Sequence, residues 1–107
     1  MTWDAYHRRK NTLREMLEIA DRDRTASLTD LLDTVDPERV AFDDEVAALF
    51  DLQMLWFQRL SGTVDRLVAD GTDDFEMVAL DAWVEAAAEL PGARALLDRH
   101  ADRPELA

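Results

Sequence analysis

The stretch from Asp43 to Gly71, DDEVAALFDLQMLWFQRLSGTVDRLVADG, constrains the fold more than any other, because it carries the signals for both ends of one long helix. Asp43 is placed to act as the N-cap, with Asp44 and Glu45 in the first turn, where the positive end of the helix dipole favours carboxylates. Gly71 suits the left-handed position just past the C-terminus. Between these ends Val46, Leu49, Gln53, Trp56, Leu60, Val64 and Leu67 recur at spacings of three and four, which sets them on one helix face. The rest of the chain has to cover that face.

The two halves of this helix, about 44–70, differ in kind. From Val46 to Phe57 only Asp51 and Gln53 are polar, so Ala47, Ala48, Phe50, Leu52, Met54 and Leu55 spread apolar surface right round the cylinder. This half is expected to be enclosed. From Gln58 onward the apolar set narrows to Leu60, Val64, Leu67 and Val68, while Arg59, Asp65, Arg66 and Asp70 take the wet side.

The preceding chain supplies two more helices. Thr2 can cap a helix from Trp3 to about Ala20, with Trp3, Tyr6, Leu13, Met16, Leu17 and Ala20 as its apolar stripe and His7, Arg8, Arg9, Lys10 and Arg14 as a basic belt. Ser27 with Asp30 resembles a capping box for a short helix, Leu28 to Val35. Asp36-Pro37 then reads as another start signal, with a further turn through Val40 and Phe42 leading into the long helix.

Beyond Gly71, Thr72 or Asp73 can cap a helix running to about Leu90, with Asp73 and Glu76 in a capping arrangement. Phe75, Val78, Ala79, Ala82, Trp83 and Ala86 form its packing face. So short a connection implies an antiparallel hairpin with the long helix, its small alanines allowing close approach near Trp56 and Phe57. Pro91-Gly92 introduces a last short helix, Ala93 to Ala101, and residues 103–107 are expected to be a loose tail. With no strand pattern and no internal repeat, the expected fold is all-α: one domain over residues 1–107, an irregular bundle of four to five helices around the long one.

A length of 107 residues with 48% apolar side chains matches a single packed core. The absence of cysteine removes disulfides, thiolate metal sites and cysteine nucleophiles. The opening MTWDAYHRRK has no apolar leader region and no run approaches the length that spans a bilayer, so a soluble cytoplasmic protein is expected.

Charge narrows the partners. The chain carries −12 overall, yet residues 1–26 balance at +1 and residues 27–107 at −13. Such a surface repels nucleic acid and anionic membrane, and favours a basic protein patch. The paired short helices invite a helix-turn-helix reading, but residues 27–51 hold eight acidic side chains against Arg39 alone, the wrong sign for DNA recognition. No basic residue lies between Leu67 and Ala93, a window containing Asp74, Asp81, Glu85 and Glu89, the last three spaced along one helix face. Like charges at that spacing cost a helix a few tenths of a kcal/mol per pair unless something offsets them. The offset is expected from solvent, from the belt around Arg8, Arg9 and Lys10, or from a basic partner. Acidity serving only solubility or salt adaptation is the bland alternative.

Catalytic and metal patterns fail on spacing. Di-iron bundles need Glu-x-x-His on two helices, and the only histidines are His7 and His100, Asp4-x-x-His7 being the nearest approach. An EF-hand register around Gly71 would put Arg66, Val68 and Met77 at ligand positions. There is no nucleophile elbow and no Gly-rich phosphate loop. No cofactor or metal is expected, and an enzyme only through a site the fold assembles.

The expected function is therefore a small non-enzymatic interaction or regulatory protein. Its partner would dock on the acidic face of Asp74, Asp81, Glu85 and Glu89, on apolar surface near Trp56, or on both. A second expectation is a ligand-binding or catalytic bundle with a pocket lined by Trp56, Phe57 and Trp83 and reached by Gln53, Asp51 or Tyr6. A third is a self-associating structural protein, a homodimer joined through Phe50, Met54 and Leu55.

Overall fold

The computed structural model describes residues 2–71 and 74–104. Its helices are α1 (Trp3–Arg22), α2 (Leu28–Val35), α3 (Glu45–Ala69), α4 (Phe75–Glu89) and α5 (Pro91–Arg99). Among the described residues there is no strand, so the all-α bundle around a long central helix is the observed architecture.

Helix ends follow local chemistry. The Thr2 hydroxyl accepts from the Ala5 N–H at 3.1 Å and the Ser27 hydroxyl from Asp30 N–H at 3.0 Å, each satisfying a donor that the helix itself leaves open. The cap of α3 is Asp44, one residue later than expected, accepting from Ala47 N–H at 2.9 Å. Gly71 closes that helix at φ +95°, with its N–H on the Val68 carbonyl. Asp74 caps α4; the expected caps Thr72 and Asp73 lie outside the described residues. Pro91 does not precede α5 but occupies its first turn, where a missing N–H costs nothing.

The expected turn of helix through Val40 is replaced by a loop folded on one carboxylate. Arg39 takes φ +54°, which no right-handed helix admits, and this turns the following N–H groups inward. Asp36, buried, accepts from Val40 at 2.8 Å, Ala41 at 3.1 Å and Phe42 at 3.0 Å. The loop thereby delivers Phe42 into the core, where it is among the most buried side chains.

That core joins Leu13, Met16, Leu17 and Ala20 of α1 to Leu28, Leu31 and Leu32 of α2. It continues through Ala48, Leu49, Leu52 and Trp56 of α3 to Ala93, Leu96 and Leu97 of α5. It gathers against the N-terminal half of α3, while the C-terminal half pairs with α4 through buried Thr63, Val78, Ala82 and Ala86. Thr63 tolerates burial because its hydroxyl donates to the Arg59 carbonyl at 3.0 Å. The buried face of α3 is consequently turned toward Ala48, Leu52 and Thr63, leaving Val46, Gln53 and Val64 half-buried at its border. Ion pairs Arg59–Glu89 and Arg66–Glu85 run in opposite order along the two helices, which makes α3 and α4 the antiparallel hairpin their short connection requires.

α5 is locked onto α1. Gly92 lies buried against Ala20 and donates its N–H to Asp21 Oδ1 at 2.9 Å, and Arg99 donates to the carbonyls of Arg24 and Ala26. Arg103, expected at the start of a loose tail, donates to Glu45 Oε2 at 3.0 Å; residues 105–107 lie outside the described residues.

Two burial expectations are corrected. Trp3 and Tyr6 are exposed, because the first two turns of α1 extend past the helices that cover Leu13 to Ala20. Instead they form a surface ring cluster with His7, and Lys10 lies over the Tyr6 ring at 4.9 Å. The apolar half of α3 is covered on one side only, since α1, α2 and α5 all pack near Leu49 and Leu52, α4 pairs with the C-terminal half, and among the described residues no further helix lies over Phe50, Met54 and Phe57.

Candidate functional site

The acidic candidates on α4 divide between internal and external roles. Glu85 and Glu89 accept from Arg66 and Arg59 of α3, so the offset for their mutual repulsion comes from the neighbouring helix and not from the α1 belt. Asp74 is committed as a cap, accepting from Glu76 N–H at 3.1 Å and Met77 N–H at 3.3 Å. Asp81 is exposed and makes no ion pair among the described residues. Exposed ion pairs are worth about 0–1 kcal/mol, so the two bridges remain exchangeable, but three of the four carboxylates already have work within the fold.

The aromatic candidates do not converge on a pocket. Trp56 is 4% exposed and meets Trp83 edge-on, ring centroids 5.9 Å apart. The Arg94 guanidinium covers both rings, at 4.5 Å from Trp56 and 5.4 Å from Trp83, and is itself held by Asp98 at 2.8 Å. A cation over two indole faces closes this cluster. A groove of about 790 Å³ lies elsewhere, between α1 and α3, with Leu13, Leu17, Met54, Leu55 and Leu90 as its apolar lining. Of the candidates, Tyr6 and Asp51 line it, whereas Gln53, Trp56, Phe57 and Trp83 do not. His7, Lys10 and Arg14 stand at one end of its α1 wall and Glu18 and Asp21 at the other; Asp51 pairs with Arg9 at 3.5 Å.

The most extensive unusual feature is apolar surface on the α3–α4 hairpin. Phe50, Met54, Phe57 and Val68 of α3 are 49%, 58%, 51% and 44% exposed, and α4 adds Phe75, Met77, Leu80, Trp83 and Val84. At about 100° per residue, Phe50, Phe57 and Val68 fall on one edge of α3 and Arg59 and Arg66 on the opposite edge. The Arg66–Glu85 and Arg59–Glu89 pairs fix which edge of α4 lies beside the arginines. The other edge of α4, carrying Trp83, therefore lies on the side of Phe57, and the hairpin has one charged edge and one apolar edge; Phe75, in line with buried Ala82 and Ala86, is exposed at the N-terminal end of α4. Leu80 and Val84 lie on the outer side of α4, away from α3. Scattered exposed leucines are ordinary, whereas phenylalanine, methionine and tryptophan exposed together along two paired helices are not.

Phe50 and Met54 were legible as interface candidates, but Leu55, grouped with them, is half-buried against the core. The outer residues of α4 were missed. Their signal was present: Phe75, Met77, Val78, Leu80, Trp83 and Val84 surround that helix, and a helix apolar all round beside a single partner must leave a face open.

Among the described residues no group of three or more His, Asp or Glu side chains is placed to hold a metal ion, and no helix is long and apolar enough to cross a membrane. Comparison of the chain with protein-family models, with curated proteins and with solved structures finds no match.

Proposed function

We propose that this protein is a non-enzymatic interaction protein whose apolar α3–α4 edge docks a partner protein. The single observation that carries the reading is the exposure of Phe50, Met54, Phe57 and Val68 along the central helix, the element around which the fold is built. Covering such side chains is favourable by about 25 cal/mol per Å² of apolar surface removed from water, so leaving them uncovered is a standing cost that a partner relieves. Of the acidic candidates, Asp81 is exposed on the charged edge with Glu85 and Glu89, which hold the hairpin together, and the carboxylate beside the strip is Asp65. Charge of that sign at the rim sets partner choice and encounter rate more than affinity.

The test is capture from native lysate with the wild-type chain and with Phe57→Asp, a substitution at an exposed site that leaves the core untouched. A stoichiometric protein held by the wild type and lost with the variant, at unchanged thermal stability, supports the reading. Identical capture by both chains refutes it.

The α1–α3 groove favours a second reading. Its volume lies in the range of small-molecule sites, and an apolar floor with charged ends suits an amphipathic ligand. Titration with an apolar fluorescent dye, with and without Leu55→Asp, tests that reading separately.

A further inference from the structure

The exposed residues of α3 are not merely apolar; they are periodic. Phe50, Met54, Phe57, Ser61, Val64 and Val68 follow one another at spacings of four, three, four, three and four. That alternation is the seam of a coiled coil, the pattern by which one α-helix receives another along its length. Phe50, Met54, Phe57 and Val68 are exposed and Val64 is half-buried, so the seam is open over 18 residue steps, about 27 Å of helix.

The residues beside the seam identify what can lie in it. On one side, each directly after a seam residue, stand Asp51, Gln58 and Asp65; on the other, each directly before one, stand Gln53, Leu60 and Leu67. These flanks meet the flanks of the incoming helix and choose the partner by charge. Neither set contains a lysine or arginine. Two copies of this chain paired seam to seam would thus set Asp or Gln against Asp or Gln on one side and Gln or Leu against Gln or Leu on the other in an antiparallel arrangement, or Asp or Gln against Gln or Leu in a parallel one. No register pairs opposite charges, and each copy brings a net charge of −12. The homodimer expected through Phe50 and Met54 is the arrangement these flanks oppose.

Resting on the docking function above, we infer that the occupant is a single amphipathic helix of another protein, about three heptads long, with apolar residues at alternating spacings of three and four and Lys or Arg on the flank that meets Asp51 and Asp65. Asp65 is exposed and makes no ion pair among the described residues, so it is ready to receive such a charge; Asp51 is paired with Arg9 of α1 and takes an incoming charge only by exchange.

The experiment uses two synthetic helical peptides of about 21 residues with leucine at the seam positions, identical except that one carries Lys and the other Glu on the flanks. Calorimetry measures affinity, and amide chemical shifts of the full chain locate the site. The Lys peptide is expected to bind at least about tenfold more tightly than the Glu peptide, moving the amides around Phe50, Phe57 and Val68. Phe57→Asp should abolish binding, and Asp65→Lys should narrow the gap between the peptides several-fold with stability unchanged. Equal affinity for the two peptides, no binding of either, or shifts confined to the α1 wall of the groove at Leu13 and Leu17 overturns the inference. If capture of a native partner is nevertheless lost with Phe57→Asp, the docking face stands and only the basic-helix occupant fails. If capture is also unchanged, both fail.

Discussion

Replacing Gly92 by alanine should unfasten α5 from α1, whereas the same replacement at Gly62 should strengthen the protein. At Gly92 an added Cβ would lie 2.7 Å from Asp21 Oδ1, 2.8 Å from the Ala20 carbonyl carbon and 2.8 Å from Ala20 Cβ. Carbon atoms rest at about 3.5–4.0 Å, so α5 has to withdraw by about 0.7–1 Å or push α1 aside. The Asp21 side chain can turn away, but only by giving up its bond from the Gly92 N–H; Ala20 contributes backbone and has no such freedom. Withdrawal also loosens Ala93, Leu96 and Leu97 from Leu13, Met16 and Leu17. Overpacking of this kind costs about 1–3 kcal/mol and the hydrogen bond about 1 more, against a helix-propensity gain of no more than about 1. The net loss is about 1–3 kcal/mol. At about 4–8 °C per kcal/mol for a domain of this size, the melting temperature should fall by about 4–24 °C in a circular-dichroism scan. Gly62 lies mid-helix in α3 with nothing within 4 Å of its built Cβ, so there the propensity term acts alone and Gly62→Ala should gain about 0.5–1 kcal/mol. Equal effects at the two sites, or a neutral Gly92→Ala, would refute the close α1–α5 approach.

Two further perturbations follow from the buried and paired carboxylates. Asp36→Ala strands three backbone donors, one of them on buried Phe42, and should cost about 3 kcal/mol or more in urea unfolding, with Asp36→Asn recovering part through its remaining oxygen. The Glu45 carboxyl is held below the usual glutamate range, first by the hydrogen bond from the Thr29 hydroxyl and then by the Arg103 guanidinium. A depressed carboxyl contributes stability that is present above its unfolded-state value and lost as the pH falls through its folded value. Glu45→Gln should therefore be less stable than wild type at neutral pH, with the difference closing as acid protonates Glu45; a gap independent of pH would contradict this.

The sequence made most of the helix ends readable because caps are local. Thr2, Ser27 and Gly71 act within a few residues of themselves, and nothing distant can overrule them. Where a distant contact decides, local pattern failed. Nothing near Asp36 in the chain announces that Arg39 turns left-handed and that three successive N–H groups fold onto one carboxylate. Trp3 and Tyr6 share the stripe of Leu13 and Leu17, but periodicity reports which residues share a face and not how far along that face a neighbour reaches. The same limit applies to Glu85 and Glu89: their spacing was visible, and their arginines on α3 were not, because pairing depends on the register of two helices. The apolar strip was half legible, in Phe50 and Met54; Phe75 was assigned to the packing face of α4 and is exposed instead, and Leu80 was missed because α4 was given one packing face although its apolar residues surround it.

If the open strip on α3 receives a partner protein, site-specific photo-crosslinking captures it. A benzophenone side chain introduced at position 57 in the strip, and separately at exposed position 34 on α2, would be activated in cells or native lysate. One stoichiometric adduct is expected from position 57, none from position 34, and a cross-linked peptide that is an amphipathic helix bearing Lys or Arg. Adducts equal in number and identity from the two positions, or none from position 57 while the folded protein is recovered intact, would contradict docking on the strip.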